Sequence, residues 1–202
     1  MKRLRPTIDV SELPTVVFGS RDLMWWGTLG FIVIEGFSLA VAAVTYLYLR
    51  RNFVGWPPLT NQYPSLLLPT LSAVLYLVSL APAVWLARVS KRLDRGAVRV
   101  GLVILSVLGL AFCVLRWFEF IALNVKWNTN AYGSIVWTIL GFHATLIVIE
   151  AGEVIGTAVL FFTERQELKH FSDANDLAFY WYFLVLSWIP LYVLVFLAPH
   201  FM

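Results

Sequence analysis

Three ionisable side chains lie within one long apolar run of the sequence, which extends from Asn130 to Phe162. His143, Glu150 and Glu153 are of the types that bind metals or transfer protons. On a helix, His143 and Glu150 lie within roughly 20° of each other, and Glu153 is displaced from them by about 80°. An ionisable group in the bilayer costs at least about 2.5 kcal/mol. We therefore predict that this helix face contacts protein, water or lipid headgroups.

A metal site is one chemistry that such residues support. Di-iron sites in helical bundles use two Glu-x-x-His pairs with two further glutamates, and the sequence contains no Glu-x-x-His. The alternative is a buried hydrogen-bond network in which Glu119, His143 and Glu150 are satisfied by Arg116 or by tyrosines. Arg116 and Glu119 are three residues apart and can pair along one helix. We favour the network, and we expect no metal or redox cofactor on this chain and a lipid or water environment for Glu153.

The composition indicates an integral membrane protein. Of 202 residues, 60% are hydrophobic and only 13% are charged, which is far too apolar for a water-soluble domain of this length. The net charge of +3 comes from lysines and arginines in short segments between apolar runs. That distribution is typical of membrane topology, so we predict no nucleic-acid partner. The single cysteine, Cys113, excludes a disulfide framework within the chain.

Five apolar runs predict an all-α bundle of five transmembrane helices. A polar N-terminal segment over residues 1–23 precedes a single membrane domain over residues 24–202. Glu35 lies about eleven residues into the first helix, which places it near mid-bilayer at 1.5 Å per residue. The predicted helices cover residues 24–49, 65–88, 98–125, 131–162 and 177–197.

The loops differ in positive charge. The N-terminal segment, the second loop and the fourth loop carry four, five and two lysines or arginines, whereas the loops on the other side carry three. Positive residues are retained on the cytoplasmic side of a membrane. We therefore expect a cytoplasmic N-terminus and a C-terminus outside.

Several motifs, taken in their order along the chain, resemble subunit III of the haem–copper cytochrome c oxidases in its five-helix form. The order of the motifs is more specific than any one of them, and it covers most of the chain from about Met24 onward. The motifs are IVIEGFSLAVAAVTYLYLR with its embedded Glu35, WPP, RWFEF, NAYGS, GFH, HF at His170, and AFYWYFLVLSWIPLYVLVF.

The resemblance implies an accessory, non-catalytic subunit of a proton-pumping terminal oxidase that reduces oxygen with electrons from cytochrome c. The expected partners are phospholipids, subunit II and the catalytic subunit I, with haem and copper on those partner subunits. The expected location is the bacterial cytoplasmic membrane. By the same resemblance, Glu35 lines a lipid-filled groove near routes for oxygen and protons, and His170, Asp173 and Asp176 lie on the cytoplasmic side where protons enter.

The chain also departs from the family pattern. Leu146 replaces a second histidine of GFHxxH, Glu150 replaces a glycine, and Tyr182 replaces the histidine after YW. Any role that the family assigns to these two histidines or to this glycine cannot be transferred to this chain. Two alternatives stay open: a similar subunit of a quinol oxidase or of a complex linked to nitric-oxide reductase, and a small proton-coupled transporter that uses Glu35, Glu150 and Glu153.

Overall fold

The computed structural model describes residue 14 and residues 16–58, 62–163 and 165–201. Most of the polar segment predicted over residues 1–23 lies outside this described part, including Lys2, Arg3 and Arg5. Within the described residues the secondary structure is helical, without strands. The helices are α1 (Leu23–Asn52), α2 (Leu67–Lys91), α3 (Arg95–Ala122), α4 (Ala131–Phe162) and α5 (His170–Tyr192), followed by a π-helical segment (Val193–Leu197) and the short α6 (Ala198–Phe201).

Five helices of the described chain are long and apolar enough to cross a membrane, which confirms the predicted all-α fold class. The first four begin and end within about three residues of their predicted bounds. The predicted start of the fifth helix at residue 177 was wrong, because α5 begins at His170. Its first turns bury the polar residues Ser172, Asn175 and Asp176 against the bundle. Hydropathy places the start of the helix at its first apolar residues, so it misses helical turns that are polar but buried.

Consecutive helices run antiparallel. The Ser172 hydroxyl at the start of α5 donates to the Asp22 carboxylate before α1 at 2.5 Å. At the other end, the hydroxyls of Thr70 in α2 and Tyr192 in α5 lie 2.6 Å apart. We call the end where α1, α3 and α5 begin the proximal end, and the opposite end the distal end.

The core lies among α2, α3, α4 and α5, and α1 packs mainly against α4 and α5. Large aromatic side chains fill this core, including Tyr76, Phe112, Trp181 and Trp188. The Tyr76 and Phe112 rings stack with centroids 3.9 Å apart, and the Trp181 indole donates to the Ser79 hydroxyl at 3.0 Å. An indole or phenol buried among apolar groups needs such a partner, so these contacts specify which helix faces meet.

Two arginines of the positive second loop have a structural role at the proximal end. The last carbonyl groups of a helix have no partners within that helix. Arg99 Nε donates to the Phe161 carbonyl at 2.7 Å, and Arg95 Nη2 donates to the Thr163 carbonyl at 3.0 Å. The two arginines at the start of α3 therefore provide hydrogen bonds to the last carbonyl groups of α4. Their positive charges also offset the negative end of the α4 helix dipole.

The Asp94 carboxylate accepts a hydrogen bond from the Ala97 backbone N–H at 3.0 Å and so caps α3. Replacing Asp94 with alanine removes this acceptor. We expect the free energy of unfolding to fall by about 0.5–2 kcal/mol, measured by reversible denaturation in detergent micelles. Thr45→Ala is the control, because the exposed Thr45 hydroxyl bonds only to its own helix. An equal loss in both variants would contradict the capping role.

Candidate functional site

Arg116 lies between two of the other residues singled out from the sequence. Arg116, Glu119 and His143 are 3%, 1% and 0% exposed. Nη1 of Arg116 lies 2.8 Å from Oε2 of Glu119, and Nη2 lies 2.8 Å from Nδ1 of His143. The structure thus brings these three side chains together. With Tyr76 and Trp188, which contact Arg116, we call them the Arg116 cluster.

The contacts of His143 define its protonation. A guanidinium group only donates, so Nδ1 of His143 accepts the bond from Arg116. Nε2 lies 2.9 Å from the Leu184 carbonyl oxygen, which only accepts. The imidazole therefore carries its proton on Nε2 and is neutral. The His143 side chain, which belongs to α4, thus connects Arg116 of α3 to the Leu184 carbonyl of α5.

Two aromatic residues complete the cluster. Cζ of Arg116 lies 3.8 Å from the ring centroid of Trp188, close enough for a cation–π interaction. The Tyr76 hydroxyl accepts a hydrogen bond from Nη2 of Arg116 at 3.3 Å. Neither aromatic partner was identified from the sequence, because apolar helices contain many aromatic residues and the pattern does not indicate which of them meets a charge. The one available signal was that a buried arginine requires such partners.

Glu150 does not join this cluster, which contradicts the predicted network of Glu119, His143 and Glu150. It is 1% exposed, and neither carboxyl oxygen has a hydrogen-bond partner among the described residues. Two helical turns, or about 10 Å along the helix axis, separate it from His143, whose two ring nitrogens contact Arg116 and the Leu184 carbonyl instead. Glu150 therefore lies outside the cluster, one helical turn from Glu153, which lines a second, acidic region.

This region is a groove of about 470 Å³ between α1, α4 and α5, near the proximal end. Four acidic side chains line it, and no lysine, arginine or histidine is among the described residues of its lining. We call it the acidic groove. Its acidic residues are Glu35 from α1, Glu153 from α4, and Asp173 and Asp176 from α5.

Glu35 is the deepest of these carboxyl groups. It lies twelve residues after the first residue of α1, or about 18 Å along the helix. Its Oε2 accepts a hydrogen bond from the Tyr180 hydroxyl, which connects α1 to α5. Glu153 is exposed in the groove. The sequence did not identify Tyr180, which lies in the aromatic motif of α5.

His170, Asp173 and Asp176 all lie in the first two turns of α5, at the proximal end. Asp173 and Asp176 line the acidic groove, whereas His170 Nδ1 accepts the Glu167 backbone N–H at 2.8 Å. Outside the membrane helices, a hydrogen bond from Lys169 lowers the pKa of the Glu167 carboxyl. This exposed pair, 2.8 Å apart, precedes α5 and does not line the groove.

Nowhere in the described chain do three or more histidine, cysteine, aspartate or glutamate side chains form a group that could hold a metal. In the Arg116 cluster, the charged groups interact with one another. In the acidic groove, the carboxyl groups lie next to apolar side chains that form the rest of the lining. The chemistry that these sites support is hydrogen bonding, proton exchange and the binding of a positively charged group.

The fold and the two sites define an α-helical, multi-pass membrane protein with charged side chains buried in its core. A family model described as cytochrome c oxidase subunit III matches residues 22–199. The chain belongs to the cytochrome c oxidase subunit III family, which confirms the resemblance seen in its motifs.

Relatives in animals are similar over most of the chain. Cytochrome c oxidase subunit 3 of Tragelaphus imberbis is 29% identical over 202 residues, covering 94% of this chain and 74% of the relative. The subunit 3 of Rattus norvegicus is 28% identical over 85% of this chain and 68% of its own length. That of Spodoptera frugiperda is 24% identical over 70% of this chain and 97% of its own length.

Proposed function

We propose that this chain is the accessory, non-catalytic subunit III of a proton-pumping haem–copper terminal oxidase that uses cytochrome c as electron donor. The observation that carries this proposal is the family match over residues 22–199, which covers nearly all of the five long apolar helices found in the described residues. In the proposed complex, the haems and copper belong to the catalytic subunit I and to subunit II. This chain holds no cofactor and stabilises the catalytic subunit during turnover.

The Arg116 cluster supports a stabilising role. It connects four helices through contacts that are buried and charge-assisted: Arg116 and Glu119 in α3, Tyr76 in α2, His143 in α4, and Trp188 in α5. Such a network fixes the relative positions of helices, because each misplaced partner leaves a buried polar group unsatisfied. A rigid bundle is suited to hold a neighbouring subunit in one arrangement.

The acidic groove supports the proposed roles in lipid binding, proton uptake and oxygen access. Its apolar walls suit lipid chains, and its carboxyl groups can exchange protons. We place the proximal end on the cytoplasmic side, because the positive second loop lies there. This proposal places the N-terminus on that side and the C-terminus outside, in a bacterial cytoplasmic membrane.

Purification of the native complex through a tag on this chain tests the proposal. We expect the catalytic subunit to co-purify, and we expect the complex to show haem absorption and to oxidise cytochrome c. This chain, expressed alone, should be colourless. Oxidation of quinol but not of cytochrome c would instead assign the chain to a quinol oxidase.

The matched control is a tag on an unrelated membrane protein of the same cells, which should recover no haem. Isolation of this chain as a stable, metal-containing homo-oligomer with its own activity would refute the accessory role. Proton-coupled transport by the isolated chain in liposomes would support the transporter alternative.

A further inference from the structure

One end of the acidic groove, next to the first two turns of α5, contains a buried carboxyl group without a full set of partners. We call this end the mouth of the groove. Asp176 lines it and is 5% exposed, and its Oδ2 has no hydrogen-bond partner among the described residues. Its Oδ1 has one long contact, 3.5 Å from the amide nitrogen of Asn175. A buried acidic group requires a cation or a hydrogen-bond donor.

The basic side chains near the mouth do not supply that cation. No lysine, arginine or histidine is among the described residues of the groove lining. Lys169 pairs with Glu167 at 2.8 Å, and His170 Nδ1 accepts the Glu167 backbone N–H. Arg21, in the turn before α1, is exposed and does not line the groove. A cation for the mouth must therefore come from outside the described lining.

The N-terminal residues of this chain include suitable cations. Lys2, Arg3 and Arg5 are three of the first five residues, and none of those five is acidic. The acidic residues of this part of the chain, Asp9 and Glu12, come later and are closer in sequence to the folded helices. Residues 2–5 therefore have a positive charge, opposite in sign to that of the groove, and the two attract each other.

The path of the chain brings these residues within reach of the mouth. The Ser172 hydroxyl, in the first turn of α5, lies 2.8 Å from the Val17 carbonyl oxygen. The chain before α1 is thus held against the start of α5. Asp176 lies one helical turn, or about 6 Å, beyond Ser172. The chain from Arg5 to Val17 can extend about 40 Å, so Arg5 can reach Asp176.

We propose that residues 2–5 bind the mouth of the acidic groove, with their basic side chains paired to Asp173 and Asp176. The inference goes beyond the proposed function, because it concerns two parts of one chain and holds for any complex that contains it. A guanidinium group can donate two parallel hydrogen bonds to one carboxylate, which satisfies an oxygen without a partner. Attachment through a short linker gives a segment an effective concentration of the order of millimolar. The bound segment covers the carboxyl groups of the mouth from water.

Zero-length cross-linking of the full chain, within the complex from which it is purified, tests the proposal. A water-soluble carbodiimide joins an ammonium group to a carboxylate in contact with it as an amide, and the reagent takes up the water that is lost. Mass spectrometry of the peptides identifies the joined residues. We expect Lys2 to be joined to Asp173 or Asp176, whereas Lys91, which is exposed at the same end of the bundle, should not be.

Arg3→Gln with Arg5→Gln distinguishes specific binding from mere attachment to the same chain. This double variant keeps Lys2 and the length of the segment but loses both guanidinium groups. We expect the yield of the Lys2 cross-link to fall about tenfold, the effect of one charge-assisted hydrogen bond. The matched control is Arg21→Gln, which makes the same change at an exposed arginine outside the lining and should keep the yield.

The Lys169–Glu167 pair, 2.8 Å apart, is the internal positive control for the reagent. Formation of that cross-link without any from Lys2 to the mouth would overturn the proposal. Equal Lys2 yields in the wild type and in the Arg3 and Arg5 double variant would do the same. A cross-link from Asp173 or Asp176 to a lysine of another subunit, in place of Lys2, would reject the N-terminal residues as the occupant.

Discussion

Arg116→Leu should lower the free energy of unfolding by about 3–5 kcal/mol, because it leaves the buried Glu119 carboxylate without its cation. The same substitution removes the donor to His143 Nδ1 and the cation above Trp188. Helices α3, α4 and α5 then lose the group that connects them. Reversible unfolding in mixed detergent micelles, followed by circular dichroism, measures the loss.

The double variant Arg116→Leu with Glu119→Leu is the informative comparison. Removal of both charges takes away the uncompensated carboxylate, so the double variant should be more stable than Arg116→Leu alone. A double-mutant cycle on Glu119→Leu and His143→Leu should give coupling beyond about 0.5 kcal/mol, since both side chains contact Arg116. Strict additivity in this cycle, together with a double variant no more stable than Arg116→Leu, would show that the three residues do not act as one network.

Gly133→Val is expected to prevent the α3–α4 hairpin from closing. A Cβ atom at Gly133 would lie 2.3 Å from the Lys126 carbonyl oxygen and 3.0 Å from Val125 Cγ2. The nearer atom is backbone, so no side-chain rotation relieves the overlap. We expect a loss of at least about 3 kcal/mol in the free energy of unfolding, at the upper end of overpacking costs.

The surrounding loop cannot easily move away. Asn130 Oδ1 accepts the Gly133 backbone N–H at 2.9 Å, and the Trp137 indole donates to the Val125 carbonyl at 2.7 Å. Gly141→Ala on the same helix is the matched control, because no heavy atom outside its own helix lies within 4 Å of the added Cβ. Its stability should change little or increase. Equal stability of Gly133→Val and Gly141→Ala would refute the close approach.

Parts of both sites were predictable because they depend on local spacing. Arg116 and Glu119 are one helical turn apart, and this spacing predicted their pairing before any tertiary contact was known. The same periodicity placed His143 and Glu150 on one face, and both are buried. It did not indicate that they have different partners. That difference arises from α5, where the Leu184 carbonyl reaches His143 but no described group bonds to Glu150.

The acidic groove was harder to predict, because its residues come from three helices. Glu35 and Asp176 are separated by some 140 positions, and nothing in their spacing relates them. The groove includes Asp173 and Asp176, which a hydropathy boundary assigned to a loop. Their burial depends on how closely α1 approaches α5, and the contact of Glu35 with Tyr180 makes that approach specific.

The amino-acid sequence alone determined the class of this protein, the five membrane helices of its described residues and the family to which it belongs. These properties follow from apolar length, from the rule that a spanning segment satisfies its own backbone hydrogen bonds, and from the order of local motifs. Tertiary structure alone decided which buried charges meet. Membrane helices all present apolar surfaces to lipid, so the rotation of each helix about its own axis is set by specific packing and polar contacts with its neighbours. In this protein those contacts separate the Arg116 cluster from the acidic groove.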